Sequence, residues 1–455
     1  MTSLALATAS SSSSSIPSSS SIDTTTPEWL VRRLSEFDLQ PHDFSTTGRG
    51  LQTTRDRSAG DVLIRVPESE AITVKSILQH FPVLEQAATK SLEEQDEKLT
   101  DEQILAAGLL LLLQQSQPQE SSSTTNPSYA LSLPPQYSVL QMPSELLACL
   151  PRSYQKLIQA YHEHVAKLQH SLMSVLPETE KVVIADNNDF VWAFATVRSR
   201  CVGMDGEDDA RIRTGGQGEI RVMLPGFDLL NHQFGAQTTP AFVSANAAAS
   251  ERADTGTGGA LEHGGYYEIR SEDTYPKDDQ VFISYSDHRD NLKMLMTYGF
   301  CISSNPNRLV TFDVQDLLEA CARARPKYFS EQVLGQLWGL LLKLKKERDL
   351  FVWDASAQAP QPSLQKGIQM MVELEKQFLE TDGNKDEPFA GDVLAALRTA
   401  RQEELSQRLQ MMDQAALHKH VEPSWIPMLE SIRVLLKAET SYLQQEGDCA
   451  TTGDQ

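Results

Sequence analysis

The sequence has few cysteines, and their arrangement predicts neither a metal site nor a disulfide framework. Its 455 residues include only five cysteines, which are scattered, and no two of them form a Cys-x-x-Cys pair. An odd number of scattered cysteines favours reduced thiols in an intracellular compartment and argues against a zinc site. We therefore predict that the protein holds no metal ion.

The chain also lacks any dense block of lysine and arginine. Its formal net charge is −22 and its pI is about 4.9, so nucleic-acid phosphates would repel it in the absence of a local basic patch. The short cluster from Lys343 to Arg348 is more typical of one face of a helix. We predict no nucleic-acid partner, and we interpret the acidic surface as ordinary solvated surface rather than as a docking site for basic protein tails.

No hydrophobic run is long enough to cross a membrane. The longest, Ile104–Leu113, has ten residues, about half of what a bilayer needs. The Ser-rich N-terminus has no basic residue before Arg32, which favours a disordered tail over an organelle transit peptide. We predict no membrane partner and a cytoplasmic and/or nuclear location, with organelle targeting as the alternative.

Periodicity and turn chemistry predict the elements of the N-terminal part. Pro27–Leu39 is typical of a short amphipathic helix, and Gly48–Pro67 of two strands separated by a turn at Ser58–Asp61. Residues 100–200 are predicted to be mostly helical. The last helix there is predicted to begin after capping residues in Asp186–Asp189 and to end near Arg200. It places apolar residues on one face: Phe190, Val191, Phe194 and Val197.

Two segments rich in small and polar residues, Gly203–Gly218 and Ala245–Gly265, are predicted to be loops. The Asn-His segment lies between them, and after the second the sequence indicates strands at Tyr266–Arg270 and within Asp278–Ser286. From about Val314 the pattern becomes helical, with apolar residues on shared helix faces.

These patterns predict an α+β fold with small β-sheets and a helical insert at about 80–200, followed by an all-α C-terminal domain. The predicted organisation is a disordered tail at 1–26, a mixed domain at 27–310, a helical domain at 311–445 and a disordered tail at 446–455.

The residues that carry chemistry stand at three places in the mixed domain. Gly48-Arg49-Gly50 begins a predicted strand, Asp228 lies three residues before Asn231-His232, and Tyr285 ends a strand thirteen residues before Tyr298 in a Tyr-Gly-Phe segment. Taken alone, each has an ordinary structural interpretation. A turn explains the glycines, a capped turn with a satisfied histidine explains the Asn-His pair, and core packing or a Gly helix cap explains the tyrosines.

Taken together and in this order, these segments resemble the SET-domain protein methyltransferases, in particular the branch that contains the Rubisco large-subunit lysine methyltransferase. The resemblance covers about residues 40–305. It implies that Tyr285 is the catalytic tyrosine near the transferred methyl group. It also implies S-adenosylmethionine as the cofactor, bound by Gly48, Arg49, Gly50, Arg200, Asn231, His232 and Phe300. Arg198 is the alternative to Arg200 in register.

The same resemblance implies that Asp228 and Tyr298 lie on the substrate side, near the lysine amine and its channel. It implies that the C-terminal helices form the substrate-binding domain of the branch. The chain departs from the branch after Tyr285, where a glycine and then a Ser-Asn pair are common and this sequence has Ser286 and Asp290-Asn291.

We therefore expect an enzyme that transfers methyl groups from S-adenosylmethionine to lysine side chains of a non-histone protein. Protein-histidine methylation, known within the branch, is one alternative, against which Tyr298 argues. A degenerate SET-fold scaffold that only binds proteins is a second. It should have lost Asn231, His232 or Tyr285, and all three are present. The substrate, the number of methyl groups added and the oligomeric state are left open by the sequence.

Overall fold

The fold was analysed in a computed structural model of the chain. It describes residues 26–115, 127–133, 138–205, 209–214, 219–236, 238–244, 265–326, 329, 331–347, 351–357, 359–379, 389–413 and 421–444. Their contacts separate into two compact units. Unit 1 comprises the described residues of 1–136, 169–231 and 237–283, and unit 2 those of 137–168, 232–236 and 284–455.

Unit 1 contains most of the strands. They are β1 Leu39–Phe44, β2 Gly48–Thr53, β3 Val62–Pro67, β4 Ile72–Thr73, β5 Leu99–Thr100, β6 Cys201–Asp205, β7 Ile212–Arg213, β8 Glu219–Met223, β10 Thr238–Val243, β11 Tyr266–Ser271 and β12 Gln280–Ile283. A further two-residue strand, β9 Asn231–His232, contains the boundary between the units. The predicted strands in Gly48–Pro67 and at Tyr266–Arg270 are confirmed.

Short antiparallel pairings build three small sheets in unit 1. β1 and β2 form a hairpin in which Phe44 pairs with Gly48, and β12 pairs along the other edge of β2. The second sheet has the order β10-β11-β3, and the third has the order β4-β8-β6. β11 is buried at five of its six positions, and this burial on both faces explains why its sequence lacks a clean alternation of polar and apolar residues.

Helices of unit 1 are α1 Glu28–Glu36, α2 Val74–His80, α3 Pro82–Gln95, α4 Asp101–Gln115, α5 Pro127–Ser132, α8 Glu178–Ile184 and α9 Asn187–Arg200. The helical insert predicted at about 80–200 is divided between the units, because its residues 137–168 belong to unit 2. α9 begins where expected, because the Asp186 carboxylate accepts hydrogen bonds from the backbone N–H groups of Asn188 (2.8 Å) and Asp189 (3.2 Å). All four residues of its predicted apolar face are buried.

Unit 2 is mainly helical. Its helices are α6 Ser144–Leu147, α10 Asn291–Tyr298, α11 Val314–Ala324, α12 Glu331–Glu347, α13 Pro362–Leu379, α14 Phe389–Asp413 and α15 Ile426–Gln444, and α7 Arg152–Val175 contains the boundary with unit 1. One hydrophobic core joins these helices, and it includes Leu292 and Leu295 of α10 together with Leu435 and Leu436 of α15. The segment carrying Tyr298 therefore shares its core with the C-terminal helices.

The C-terminal region is predominantly helical, as predicted, and it also contains a small antiparallel sheet of β13 Leu309–Phe312, β14 Phe351–Asp354 and β15 Ala359–Pro360. Such short strands leave no periodicity to detect. The prediction of a loop at Gly203–Gly218 was wrong at its start and at β7, which pairs parallel with β5. Cys201–Asp205 is a strand that pairs antiparallel with β8, and a distant partner strand supplies hydrogen bonds that composition does not reveal.

Several predictions lie outside the described residues, namely those for the two terminal tails and for most of the segment from Ala245 to Gly265. Among the described residues, no helix combines the length and apolar character needed to cross a bilayer. In the same ranges, no three side chains of His, Cys, Asp or Glu converge as ligands for a metal ion.

Candidate active site

The Gly-Arg-Gly segment and Asn231 meet in unit 1. The Asn231 side-chain amide donates a hydrogen bond to the backbone carbonyl of Arg49 at 3.1 Å. Gly48 ends the β1–β2 turn with a φ of +71°, which favours glycine because it has no Cβ to clash. Gly50 is needed for close approach, since a Cβ there would lie 2.6 Å from Asn231 Nδ2 and 2.7 Å from Gln280 Nε2.

Arg200 and Asp228 form an ion pair in the same unit, with a half-buried arginine and a buried carboxylate. Arg200 is the last residue of α9, and its Nη1 lies 2.9 Å from Asp228 Oδ2 and 3.1 Å from the Asp228 carbonyl oxygen. The second carboxylate oxygen accepts from the backbone N–H of Gly226 at 3.0 Å. The Asp228 side chain is 4% exposed, so its carboxylate is held by these partners. Arg198 instead pairs with Glu102 at 3.2 Å.

Tyr129 joins this pair, although sequence reasoning did not select it. It lies in the short helix α5 and is 1% exposed. Burial and then the neighbouring carboxylate of Asp228 raise the pKa of Tyr129 well above its ordinary value, while the guanidinium of Arg200 opposes that shift. The tyrosine therefore stays neutral beside the ion pair. No motif or periodicity marks a single tyrosine in a six-residue helix, so the sequence offered no signal for it.

His232, Tyr285, Tyr298 and Phe300 form a contiguous aromatic cluster in unit 2. The ring centroid of Tyr285 lies 5.2 Å from that of His232, 4.7 Å from that of Tyr298 and 6.4 Å from that of Phe300. Tyr298 and Phe300 are 6.0 Å apart. His232, Tyr285 and the Tyr298-Gly299-Phe300 segment are separated in sequence, and the fold brings the four rings together at distances typical of aromatic pairs.

The backbone of Tyr285 fixes the histidine ring. The Tyr285 N–H donates to His232 Nδ1 at 3.0 Å, so Nδ1 is the acceptor and the neutral imidazole carries its hydrogen on Nε2. His232 is 9% exposed, whereas the two tyrosines and Phe300 are half-buried. The cluster therefore combines an anchored, buried ring with three rings that retain exposed surface.

Tyr298 is placed by both ends of α10. At the start, Asp290 caps the helix by accepting from the Lys293 N–H at 2.9 Å. At the end, Gly299 adopts a φ of +80° and closes the last turn, as the Gly-cap interpretation expects. The guanidinium of Arg289 lies 5.3 Å from the Tyr298 ring centroid, at cation–π distance, and donates to Thr297 Oγ1 at 2.8 Å.

The two groups of residues offer different chemistry. In unit 1 a strand without a Cβ at Gly50 and an anchored asparagine amide provide a backbone surface on which a ligand can lie close. In unit 2 two tyrosine hydroxyls, neutral at pH 7, can accept or donate hydrogen bonds beside apolar ring faces. Such groups position and polarise substrates and do not form covalent intermediates readily, which suits a transfer reaction governed by alignment.

No protein-family model matches the chain. Among curated proteins it is similar to SET domain-containing protein 4 of Artemia parthenogenetica, 25% identical over 286 residues (62% of this chain, 63% of the relative). The protein of the same name from Homo sapiens is 26% identical over 291 residues (62% and 59%). The ribosomal lysine N-methyltransferase set11 of Schizosaccharomyces pombe is 24% identical over 198 residues (39% and 43%). The matched part thus spans about three fifths of the first two relatives.

Solved structures of Rubisco LSMT share the fold. The SET domain of LSMT bound to lysine and AdoHcy aligns with a TM-score of 0.57 at 17% identity, covering 92% of this chain and 90% of that one. Rubisco LSMT bound to AdoMet aligns with a TM-score of 0.52 at 17% identity, covering 91% and 90%. The sequence relatives agree with the order of the motifs, and the chain has the SET-domain fold seen in the structures of Rubisco LSMT.

Proposed function

We propose that the protein transfers methyl groups from S-adenosylmethionine to lysine side chains of a non-histone protein substrate. The observation that carries the proposal is the ring cluster of Tyr285, Tyr298 and His232, in which the two tyrosines of the motif touch and the first is tied through its backbone to the histidine of the Asn-His pair. The neighbours bound to AdoMet, AdoHcy and lysine support the choice of cofactor and acceptor.

The residues proposed to hold the cofactor fit such a ligand. Gly48, Arg49 and Gly50 present a strand whose middle has room only for a hydrogen at Gly50, and Asn231 is anchored on that strand. His232, Phe300 and Arg200 complete the proposed set. When bound, S-adenosylmethionine supplies an electrophilic methyl group on a sulfonium sulfur.

In this proposal the protein aligns a neutral lysine amine for in-line displacement, in which the nitrogen–methyl bond forms as the sulfur–methyl bond breaks. S-adenosylhomocysteine would be the leaving group, and the methylated ammonium loses its proton to solvent. Tyr285 contributes a neutral hydroxyl near the methyl group, and Tyr298 lines the lysine channel. Because positioning and preorganised polar groups provide most of the rate in such transfers, no strong nucleophile or general base is required of the side chains. The Asp228 carboxylate is already held by Arg200 and Gly226, so we assign it a supporting position near the amine.

The two alternatives make different demands on the same residues. Histidine methylation belongs to a relative that lacks a tyrosine at the position of Tyr298, and Tyr298 here is part of the ring cluster. A scaffold that only binds proteins would not need the Tyr285 N–H to His232 Nδ1 hydrogen bond or the close approach at Gly50. Lysine methylation explains all of these features, and the helices after residue 310 are proposed to recruit the protein substrate.

Calorimetry with S-adenosylmethionine tests the cofactor assignment directly. The parent should bind at one site, and Asn231→Ala and His232→Ala should each weaken binding. Asn188→Ala and His164→Ala make the same chemical changes at exposed positions and should bind as the parent does. Parent-like affinity in both site variants would show that the cofactor site is misplaced.

Incubation of a cell lysate with methyl-labelled cofactor, followed by mass spectrometry, tests the acceptor. We expect label on lysine in the presence of the parent and none above background with Tyr285→Phe. Label on histidine alone would favour the alternative within the branch, and absence of any transferred label would favour the scaffold.

A further inference from the structure

Three asparagines tie together the two segments of unit 2 that carry the aromatic residues of the site. Asn291 lies at the start of α10, and Asn305 and Asn307 lie beyond Phe300. Asn291 is 4% exposed and Asn305 is 2% exposed, whereas Asn307 is half-buried. We call these three side chains and their hydrogen bonds the asparagine clamp.

Asn291 uses both ends of its amide. Its Nδ2 donates to the Ile302 carbonyl at 2.9 Å, and its Oδ1 accepts from the Ile302 N–H at 2.9 Å. The same Oδ1 also accepts from Asn305 Nδ2 at 3.1 Å. The Asn291 side chain thus pairs with both backbone groups of Ile302, as a neighbouring strand would. These bonds close residues 291–302 into a loop that contains Tyr298 and Phe300.

Asn305 and Asn307 extend the clamp to the segment that follows Tyr285. Asn305 Nδ2 donates to the Arg289 carbonyl at 3.1 Å, and Asn307 Nδ2 donates to the Asp287 carbonyl at 2.8 Å. The Asn305 Oδ1 accepts from the Asn307 N–H at 2.8 Å, so the two side chains are coupled. Through these bonds residues 287–289 are held against residues 302–307.

The clamp therefore fixes both tyrosine-bearing segments relative to each other. Tyr285 stands two residues before Asp287, and Tyr298 stands four residues before Ile302. A buried amide that loses one hydrogen-bond partner leaves polar groups unpaired, which is unfavourable in free energy. Each hydrogen bond of the clamp therefore stabilises this one arrangement of the loops over others. The ring distance of 4.7 Å between Tyr285 and Tyr298 depends on two short segments that no regular sheet joins to each other.

We propose that Asn291 is a positioning residue for methyl transfer, acting through the asparagine clamp to hold Tyr285 against Tyr298. This proposal rests on the proposed function for its effect on turnover, while its effect on the loop stands without it. Asn291 touches neither tyrosine ring in the contacts described above. It acts through Ile302 and Asn305.

The first test is Asn291→Asp, which keeps the size of the side chain and replaces the donor with an oxygen facing the Ile302 carbonyl. Amide hydrogen exchange at Tyr285 reads the clamp directly, because that N–H is bonded to His232 Nδ1. We expect faster exchange at Tyr285 in Asn291→Asp. Turnover should fall about ten- to hundredfold, since a displacement of about 1 Å can cost 10² in rate, while cofactor affinity stays within about threefold.

Core variants separate positioning from general loss of stability. Leu405 of α14 is fully buried in the hydrophobic core of unit 2. Leu405→Val should lower the melting temperature less than Asn291→Asp does, and Leu405→Ala should lower it more. These variants should leave exchange at Tyr285 and turnover near the parent values. The proposal is overturned if they reproduce both changes, or if Asn291→Asp exchanges at Tyr285 as slowly as the parent.

Asn307→Ala provides a second test on a half-buried position, should Asn291→Asp fail to fold. It removes the bonds that Asn307 Nδ2 donates to the carbonyls of Asp287 (2.8 Å) and Arg289 (3.4 Å) and leaves those of Asn291 and Asn305 in place. We expect a smaller rise in Tyr285 exchange, and parent-like exchange in this variant counts against the clamp. If the parent shows no methyl transfer, the proposed function fails, and the exchange measurements still decide whether the clamp holds the loop.

Discussion

The two units hold their candidate site residues by different physical means. In unit 1 an ion pair of Arg200 and Asp228 stands beside the neutral Tyr129, and the Asp228 side chain is almost completely removed from solvent. In unit 2 the rings of Tyr285 and Tyr298 are half-buried and are supported by neutral amides. An ion pair holds Asp228 in one group of residues, whereas in the other the tyrosine rings are held mainly by neutral amides and ring packing, with the Arg289 guanidinium near the Tyr298 ring.

This difference predicts different consequences of mutation. When one partner of a buried ion pair is removed, the other charge is left unpaired in a medium of low dielectric. This change mainly lowers folding stability. Removing a hydroxyl from a half-buried ring leaves packing intact, so stability should change little while the chemistry suffers. Four variants test whether this division between the units holds.

Arg200→Met should have the largest effect, a loss of about 3–5 kcal/mol in unfolding free energy, because it leaves the Asp228 carboxylate buried without its cation. Urea unfolding measures the change. Arg32→Met removes an exposed pair with Glu28 and should cost less than about 1 kcal/mol. Equal losses in the two variants would contradict the contrast, and an added Asp228→Leu should recover part of the loss from Arg200→Met.

Tyr285→Phe should reduce kcat by roughly 10² to 10³, or about 3–4 kcal/mol, because it removes one preorganised hydroxyl at the proposed centre of transfer. Its unfolding free energy should stay close to that of the parent. Tyr298→Phe should be milder in rate and should change how many methyl groups are added, as mass spectrometry of the product can show. If Tyr298→Phe is inactive and Tyr285→Phe turns over within about threefold of the parent, the two roles are reversed.

Glu439→Gln tests a charge in unit 2 that lies in the helices. Burial raises the pKa of Glu439 from 4.5 to about 7 against the opposing effect of Arg401, and the Tyr154 hydroxyl donates to its carboxylate. Asp290 and Glu404 also raise this pKa. Because the folded pKa exceeds the unfolded one, the protonated side chain favours folding, and this stability is present below pH 4.5 and lost as the pH rises through 7.

Glu439→Gln keeps an acceptor for Tyr154 and cannot ionise. We expect its unfolding free energy to match the parent near pH 4.5 and to exceed it by up to about 3 kcal/mol at pH 8. Glu430→Gln in the same helix changes an exposed carboxyl group and should show no such gain in stability at pH 8. A pH-independent difference between Glu439→Gln and the parent would contradict the assigned protonation.

Gly50→Ala should have the smallest effect, about three- to tenfold weaker binding of S-adenosylmethionine, the equivalent of one hydrogen bond. The added methyl group would lie 2.6 Å from Asn231 Nδ2 and would push the amide off the Arg49 carbonyl. Calorimetry measures the change. Gly391→Ala in α14 meets no atom within 4 Å and should bind the cofactor as the parent does. Unchanged binding in Gly50→Ala would show that the hydrogen bond from Asn231 to the Arg49 carbonyl does not contribute to cofactor binding.

The sequence predicted local features well and distant pairings poorly. α9 could be located from its cap and its apolar face, and the Gly cap of α10 from Tyr298-Gly299, because each depends on neighbours along the chain. β6 was taken for a loop because its partner β8 gives it its hydrogen bonds. Tyr129 was missed because only the fold brings it beside Asp228. In the same way, only the fold shows that Glu439 is buried beside Tyr154.

The motifs of the candidate site were found by their order and spacing, yet their supports were not. The resemblance, which includes the spacing of thirteen residues from Tyr285 to Tyr298, implied that both tyrosines belong to the site, and their ring centroids lie 4.7 Å apart. The asparagine clamp left no comparable signal, because Asn291, Asn305 and Asn307 are separated by irregular spacing and asparagine is common in loops. Supports of this kind depend on loop conformation, which local propensity does not determine.

The shared core of unit 2 has a consequence for genetics. Leu292 and Leu295 lie in α10, before Tyr298. They pack in one cluster with Leu435 and Leu436 of the last helix, α15. A screen for loss of the proposed methyl transfer should therefore recover substitutions in the last helix as well as at the tyrosines. The two classes of allele are expected to differ in protein abundance, because the first lowers the amount of folded protein in the cell and the second leaves it unchanged.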